Sequence, residues 1–163
     1  MIWLVMGVTG CGKTTLGQAL AKRLKIPFYD ADDFHPPANR QKLSRDEPLN
    51  DEDRRPWLQV LAQQMRVWED AGGAVLACSA LKESYRKILA GSSVPLKLVW
   101  VQITPKEASE RLVARKHDFV GKFEKILHGQ FADLEAPKAA VVVPAILSTD
   151  EQVESVLAER NSD

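Results

Sequence analysis

Gly7-Val8-Thr9-Gly10-Cys11-Gly12-Lys13-Thr14 has the residue types and spacing of a loop that wraps a phosphate chain. Glycine at 7, 10 and 12 lets the backbone curl until consecutive amide N–H groups, those of Thr9 and Cys11 among them, point inward at an anion. Lys13 then reaches the β- and γ-phosphates, Thr14 offers a hydroxyl to magnesium, and Thr15 adds a hydroxyl towards the α-phosphate. The helix opening at Lys13 would direct its positive end at the same group. The chemistry implied is binding of ATP with Mg2+. A thiol inside such a loop has two readings. Cys11 is either a redox-sensitive group with a lowered pKa or a small residue tolerated at a variable position.

A second group of reactive side chains follows Pro27-Phe28-Tyr29, namely Asp30, Asp32, Asp33 and His35. Nucleotide-hydrolysing switches place a metal-binding aspartate at the end of an apolar strand, but the run from Ala74 to Cys78 ends in Ser79. Two carboxylates after the second strand suit transfer to a small alcohol instead. One can sit near the magnesium shell while the other orients, and deprotonates, the attacking hydroxyl.

These groups need a scaffold that brings distant loops together. Ile2 to Met6 reads as a buried strand, and Lys13 to Leu24 carries apolar residues at helical spacing. A helix is expected over Arg54 to Asp70, a strand over Ala74 to Cys78, a helix over Lys82 to Leu89 and a strand over Leu98 to Ile103. Pro105 suits the first turn of a helix through Arg115. A polar break at about 116–122 is a candidate lid before a helix over Phe123 to Leu134. A last strand lies within Val141 to Leu147, and Asp150 to Glu159 forms the final helix. Alternating strands and helices predict a three-layer α/β fold with a mostly parallel five-stranded sheet and helices on both faces. In such sheets ligands sit beyond the carboxyl ends of the strands, where the loop after Met6, the acids after Tyr29 and Ser79 would meet. At 163 residues the chain makes a single domain, 1–163.

Lysine plus arginine equals aspartate plus glutamate at 22 each, which argues against the broad basic field of a nucleic-acid binder. The apolar opening lacks a basic flank and meets Gly7 after six residues, too few for a signal peptide or membrane span. Cys11 and Cys78 have no CxxC partner, so a reducing, cytoplasmic setting is expected.

Four segments closely resemble the gluconokinases: Asp30-Ala31-Asp32-Asp33-Phe34-His35-Pro36, Pro48-Leu49-Asn50-Asp51-Glu52-Asp53-Arg54-Arg55-Pro56-Trp57-Leu58, Ala77-Cys78-Ser79-Ala80-Leu81-Lys82 with Tyr85-Arg86, and Gln130-Phe131-Ala132-Asp133-Leu134-Glu135-Ala136-Pro137. The resemblance implies ATP-dependent phosphorylation of D-gluconate to 6-phospho-D-gluconate in a shikimate-kinase-like P-loop kinase fold, and a homodimer. It puts Asp32 at the acceptor hydroxyl as base and Asp30 beside Thr14 at the metal. His35 would bond the polyol, Arg54 the acceptor carboxylate through two parallel hydrogen bonds, and Lys82 and Arg86 would add charge to that pocket. Arg111 and Arg115 resemble lid arginines that cover the transferring phosphate. Asn39 and Lys42 fall on family positions without an assigned role.

The chain departs from the family in the lid, where Arg-x-Gly-His-Phe corresponds to Arg115-Lys116-His117-Asp118-Phe119, and at Gly129, where the family has serine. Two other readings stay open. A kinase of shikimate or another small hydroxy acid would differ in its acceptor, and a nucleotide-dependent switch would hydrolyse ATP without one.

Overall fold

An unbroken apolar strand has no face to give to water, so it must lie mid-sheet with helices over both sides. In the computed structural model, which describes residues 1–114 and 120–160, β1 (Ile2–Met6) is wholly buried at the centre of the sheet. The other strands are β2 (Phe28–Asp30), β3 (Ala74–Ala77), β4 (Leu96–Gln102) and β5 (Val141–Pro144). Their order is β2-β3-β1-β4-β5 and all four pairings are parallel, so the sheet is fully rather than mostly parallel. Leu4 pairs with Leu76 on one side and Leu98 on the other.

The helices are α1 (Lys13–Leu24), α2 (Pro37–Ser44), α3 (Asp51–Asp70), α4 (Glu83–Ala90), α5 (Pro105–Ala114), α6 (Val120–Asp133) and α7 (Thr149–Arg160), with a 3-10 turn over Ala31–Phe34. Period-two alternation divides the core. Trp3 and Val5 join Leu16 and Leu20 of α1 and Val153 and Val156 of α7, while Ile2, Leu4 and Met6 join Leu58, Leu61 and Met65 of α3.

Element limits differ from expectation where a side chain decides them. Helix α3 starts at Asp51 rather than Arg54, because Asn50 accepts from Asp53 N at 2.8 Å and Asp53 accepts from Asn50 N at 3.0 Å. That reciprocal capping box satisfies two amides that the helix start leaves without partners. The expected lid falls largely outside the described residues, as do Arg115, His117 and Asp118. From Val120 the chain is helical.

Candidate active site

The sheet order brings the carboxyl ends of β1, β3 and β2 side by side, and each carries one part of the site. Gly7 N donates to Ser79 O at 3.4 Å, joining the phosphate loop to the segment after β3. The charges of Asp32, Lys13 and Asp30 all act on the Cys78 thiol. Burial is the larger influence there and pushes that thiol up to about 12.

The loop itself is shaped by three glycines of positive φ, Gly7, Gly10 at 79° and Gly12. Gly7 has φ +153°, and a Cβ there would come within 2.6 Å of Cys11 Sγ and 3.0 Å of Val101 O. Gly12, at φ 96°, caps α1 from the left-handed region and makes no side-chain cap bond. Lys13 is half-buried, whereas Thr14 and Thr15 are exposed at the start of the helix. The amides of Thr9 and Cys11 are engaged within the protein, by Gln130 Oε1 at 2.6 Å and Val8 O at 3.2 Å. Of the two readings of Cys11, the structure favours the tolerated small residue. Its side chain is fully buried, and desolvation raises its pKa against the opposing charges of Lys13 and Arg111.

Two side chains brace this loop, of which Gln130 had no assigned role in the sequence. Gln130 of α6 accepts from Thr9 N and donates through Nε2 to Thr9 Oγ1 at 2.9 Å, across 121 residues. Its membership in the Gln130-to-Pro137 segment was the available signal. Arg111, expected over the phosphates, donates instead to Cys11 O at 3.1 Å, Gly10 O at 3.4 Å and Ala145 O at 2.6 Å. Its charge therefore stays beside the loop while its N–H groups hold backbone carbonyls.

The acidic segment is fixed from several directions. Asp30 accepts from Asp32 N at 2.9 Å and so caps the 3-10 turn. Trp57 Nε1 donates to Ala31 O at 2.7 Å, and Arg40 donates to Asp33 O at 2.6 Å and His35 O at 3.1 Å. Asp33 is thereby held through its backbone, as a structural residue would be. The Asp32 side chain keeps 82% of its surface open, and partial desolvation by the surrounding protein raises its pKa. The Asp30 charge adds to that rise, and Lys13 opposes it. A carboxylate with a raised pKa, open to solvent and within the field of the loop lysine, is suited to accept a hydroxyl proton.

A second polar cluster surrounds Tyr85. Its hydroxyl donates to Asp51 Oδ1 at 2.5 Å and accepts from Arg54 Nη1 at 3.0 Å. Lys82 Nζ reaches the same Asp51 oxygen at 3.1 Å and lies 5.5 Å from the Tyr85 ring centre. The Tyr85 hydroxyl and Lys82 hold the Asp51 carboxyl below its ordinary range. Arg54 and Lys82 therefore flank one carboxylate already. Lys42 has a different task, since its ammonium binds Asp53 at 2.9 Å beside the α3 cap.

Arg86 does not join Arg54 and Lys82. It is 6% exposed, and its five N–H groups meet Glu83 twice, Ala80 O at 2.8 Å, Leu81 O at 2.9 Å and Glu135 O at 2.9 Å. This corrects the expectation of a substrate ligand. Arg86 is a strut for the loop after β3, where Ala80 holds a left-handed φ of 45°.

Residues 9–135 match the family described as Shikimate kinase. The Gluconokinase of Gluconobacter oxydans (strain 621H) is 44% identical over 135 residues, covering 82% of this chain and 75% of that protein. The chain belongs to the gluconokinase family. It is an ATP-dependent small-molecule kinase. Among solved structures, a gluconokinase from Sinorhizobium meliloti 1021 is 33% identical with a TM-score of 0.83, covering 96% of this chain and 89% of that one. An unliganded sugar kinase from Janibacter is 32% identical with a TM-score of 0.88, over 98% and 94%. The gluconokinase family membership covers all four segments singled out in the sequence. In this family member Gly129 has open space around its Cα, so serine or glycine fits there equally.

Proposed function

We propose that this chain transfers the γ-phosphoryl group of ATP to D-gluconate, forming 6-phospho-D-gluconate. The observation that carries the reading is a pair of unlike polar groups linked through His35, which lies 3.9 Å from Asp32 and within the field of Arg54. Lys13 and Asp32 stand at the phosphate loop, and Arg54 and Lys82 stand together around Tyr85 and Asp51. An acceptor with an alcohol at one end and a carboxylate at the other matches that polarity. Asp32 accepts the hydroxyl proton, Lys13 balances charge on the transferring group, and Arg54 with Lys82 binds the carboxylate.

Thr14 and Asp30 fit Mg2+ in type. Both offer hard oxygens, and among the described residues no cluster of three or more acidic, histidine or cysteine ligands surrounds them. Mg2+ bound to a nucleotide needs only one or two protein oxygens beside water and phosphate. Held by Thr14 and Asp30, Mg2+ would supply positive charge to the transferring phosphoryl group. The proposal includes one kinase domain over 1–163, a homodimer on the strength of the resemblance, and a cytoplasmic setting supported by two buried free thiols. The balanced charge supports a small-molecule acceptor with no nucleic-acid partner, and no described helix is long and apolar enough to cross a membrane. No membrane partner is proposed.

ADP release measured across gluconate, other aldonates and shikimate tests the reading. Gluconate should turn over fastest, Lys13→Ala should abolish turnover, and Asp32→Asn should lower kcat by about 100-fold or more. Faster turnover with shikimate, hydrolysis independent of any acceptor, or full activity in Asp32→Asn would each reject it.

A further inference from the structure

Asn39, which had no role in the sequence, is 3% exposed in α2, and its Nδ2 lies 2.9 Å from Asp53 O and 3.2 Å from His35 Nδ1. A backbone carbonyl only accepts, so the amide atom facing Asp53 O is the nitrogen. One of its two hydrogens goes to that carbonyl and the other points at His35. The ring nitrogen facing it must then be an acceptor, which leaves the imidazole hydrogen on Nε2. Stacking on Trp57, with centroids 4.3 Å apart and planes 16° from parallel, holds the ring in place. Burial, then the charges of Arg40 and Arg54, lower the His35 pKa and keep the ring neutral.

The Nε2 edge of this ring lies 3.9 Å from Asp32 Oδ1, too far for a direct bond. One oxygen at about 2.8 Å from each atom would bridge them. From this geometry we propose that Asn39 sets His35 as an obligatory Nε2–H donor, so that His35 and Asp32 together grip one alcohol group of the acceptor. His35 donates to the hydroxyl oxygen and Asp32 accepts its hydrogen. Only a group that both donates and accepts satisfies the pair, and a carbonyl or an ammonium would leave one member unmet. Asn39 is a positioning residue, acting through the ring. The proposal rests on the assignment of Asp32 to the acceptor hydroxyl.

Long-range 1H–15N correlation of the imidazole in the ligand-free protein tests the tautomer without any turnover. The expected spectrum has a protonated Nε2 and a bare Nδ1, and a protonated Nδ1 in the wild-type protein overturns the proposal. Asn39→Asp, which can only accept, should move the hydrogen to Nδ1 and lower kcat about 10- to 100-fold, the range of a lost buried hydrogen bond, with the KM for ATP unchanged. His35→Gln, whose amide reaches the Nε2 position, should retain more kcat than His35→Asn. Equal losses in these two variants, or an unaltered kcat in Asn39→Asp, would also overturn it. If the wild-type enzyme fails to use gluconate while the tautomer is as stated, the acceptor assignment fails and the Asn39–His35 relation stands.

Discussion

Replacing Arg86 with methionine separates two roles that its sequence position leaves equivalent. The substitution keeps apolar bulk at a site 6% exposed but withdraws the Arg86 donors from Ala80 O, Leu81 O and Glu135 O. Leu81 O keeps the Glu135 amide at 2.9 Å, so two acceptors are left unpaired, and at about 1–3 kcal/mol each they set a ceiling of about 6 kcal/mol. Such losses are not additive, because water and backbone relaxation recover part of them, and about 2–4 kcal/mol is the expected net cost. Glu83 adds little, since its side chain is half exposed and regains water. For a chain of this size each kcal/mol moves Tm by about 2–4 °C, so the midpoint should fall by roughly 4–16 °C. Calorimetry of Arg86→Met beside the wild-type protein measures it. The KM for the acceptor, taken well below the lowered midpoint, should move by less than about threefold, within the scatter of indirect effects. An unchanged Tm with a KM raised tenfold or more would refute the strut and restore Arg86 as a ligand.

Arg54→Met should do the reverse. Losing a charge-assisted pair costs about 1.5–3 kcal/mol, so the acceptor KM should rise about 10- to 150-fold with little change in Tm, and a KM unaffected in steady-state kinetics would displace Arg54 from the carboxylate site. Gln130→Leu frees the Thr9 amide and hydroxyl, and the KM for ATP should rise roughly 5- to 30-fold while that for the acceptor holds. Equal shifts in both constants would argue against a local effect on the phosphate loop. Acid should destabilise the protein in two stages. Burial first, then Arg40 and Arg54, lower the His35 pKa in the fold, so its contribution is complete above the unfolded value of about 6.5 and is lost as pH falls from there. Asp51 and Asp53 are depressed by Tyr85 and Lys82 and by Lys42 and the Asn50 amide, so theirs is lost below about pH 4. Asp32, raised, acts in the opposite sense. His35→Gln should remove the first stage from a Tm-against-pH series, and its persistence there would contradict the assignment.

Features with short-range causes were legible in the chain itself. The strand Ile2–Met6 and the helix Lys13–Leu24 have the limits that composition and spacing imply, because an unbroken apolar run and a glycine-led helix start are decided within a few residues. The convergence of Lys13, Asp30 and Asp32 was legible too, since a parallel sheet obliges the loops after its strands to share one edge. Capping was harder to see. Asn50 and Asp53 start α3 three residues before its apolar stripe becomes regular.

What the sequence left open belongs to contacts between distant segments. Lys82 and Arg86 share one helical spacing, yet one remains partly open beside Asp51 while the other is enclosed by carbonyls 80, 81 and 135. Cys11 sits in a loop whose charges favour a thiolate, but packing beneath Gly7 buries its sulfur, and desolvation outweighs those charges. Gln130 meets Thr9 across 121 residues, and Asn39 reads the carbonyl of Asp53 and the ring of His35 together. Residue types and spacing determined the phosphate loop, the alternation of strands and helices and the inventory of acids and bases. Tertiary packing decided which of those groups keep a free hydrogen or lone pair, because that depends on what each buried polar atom already faces.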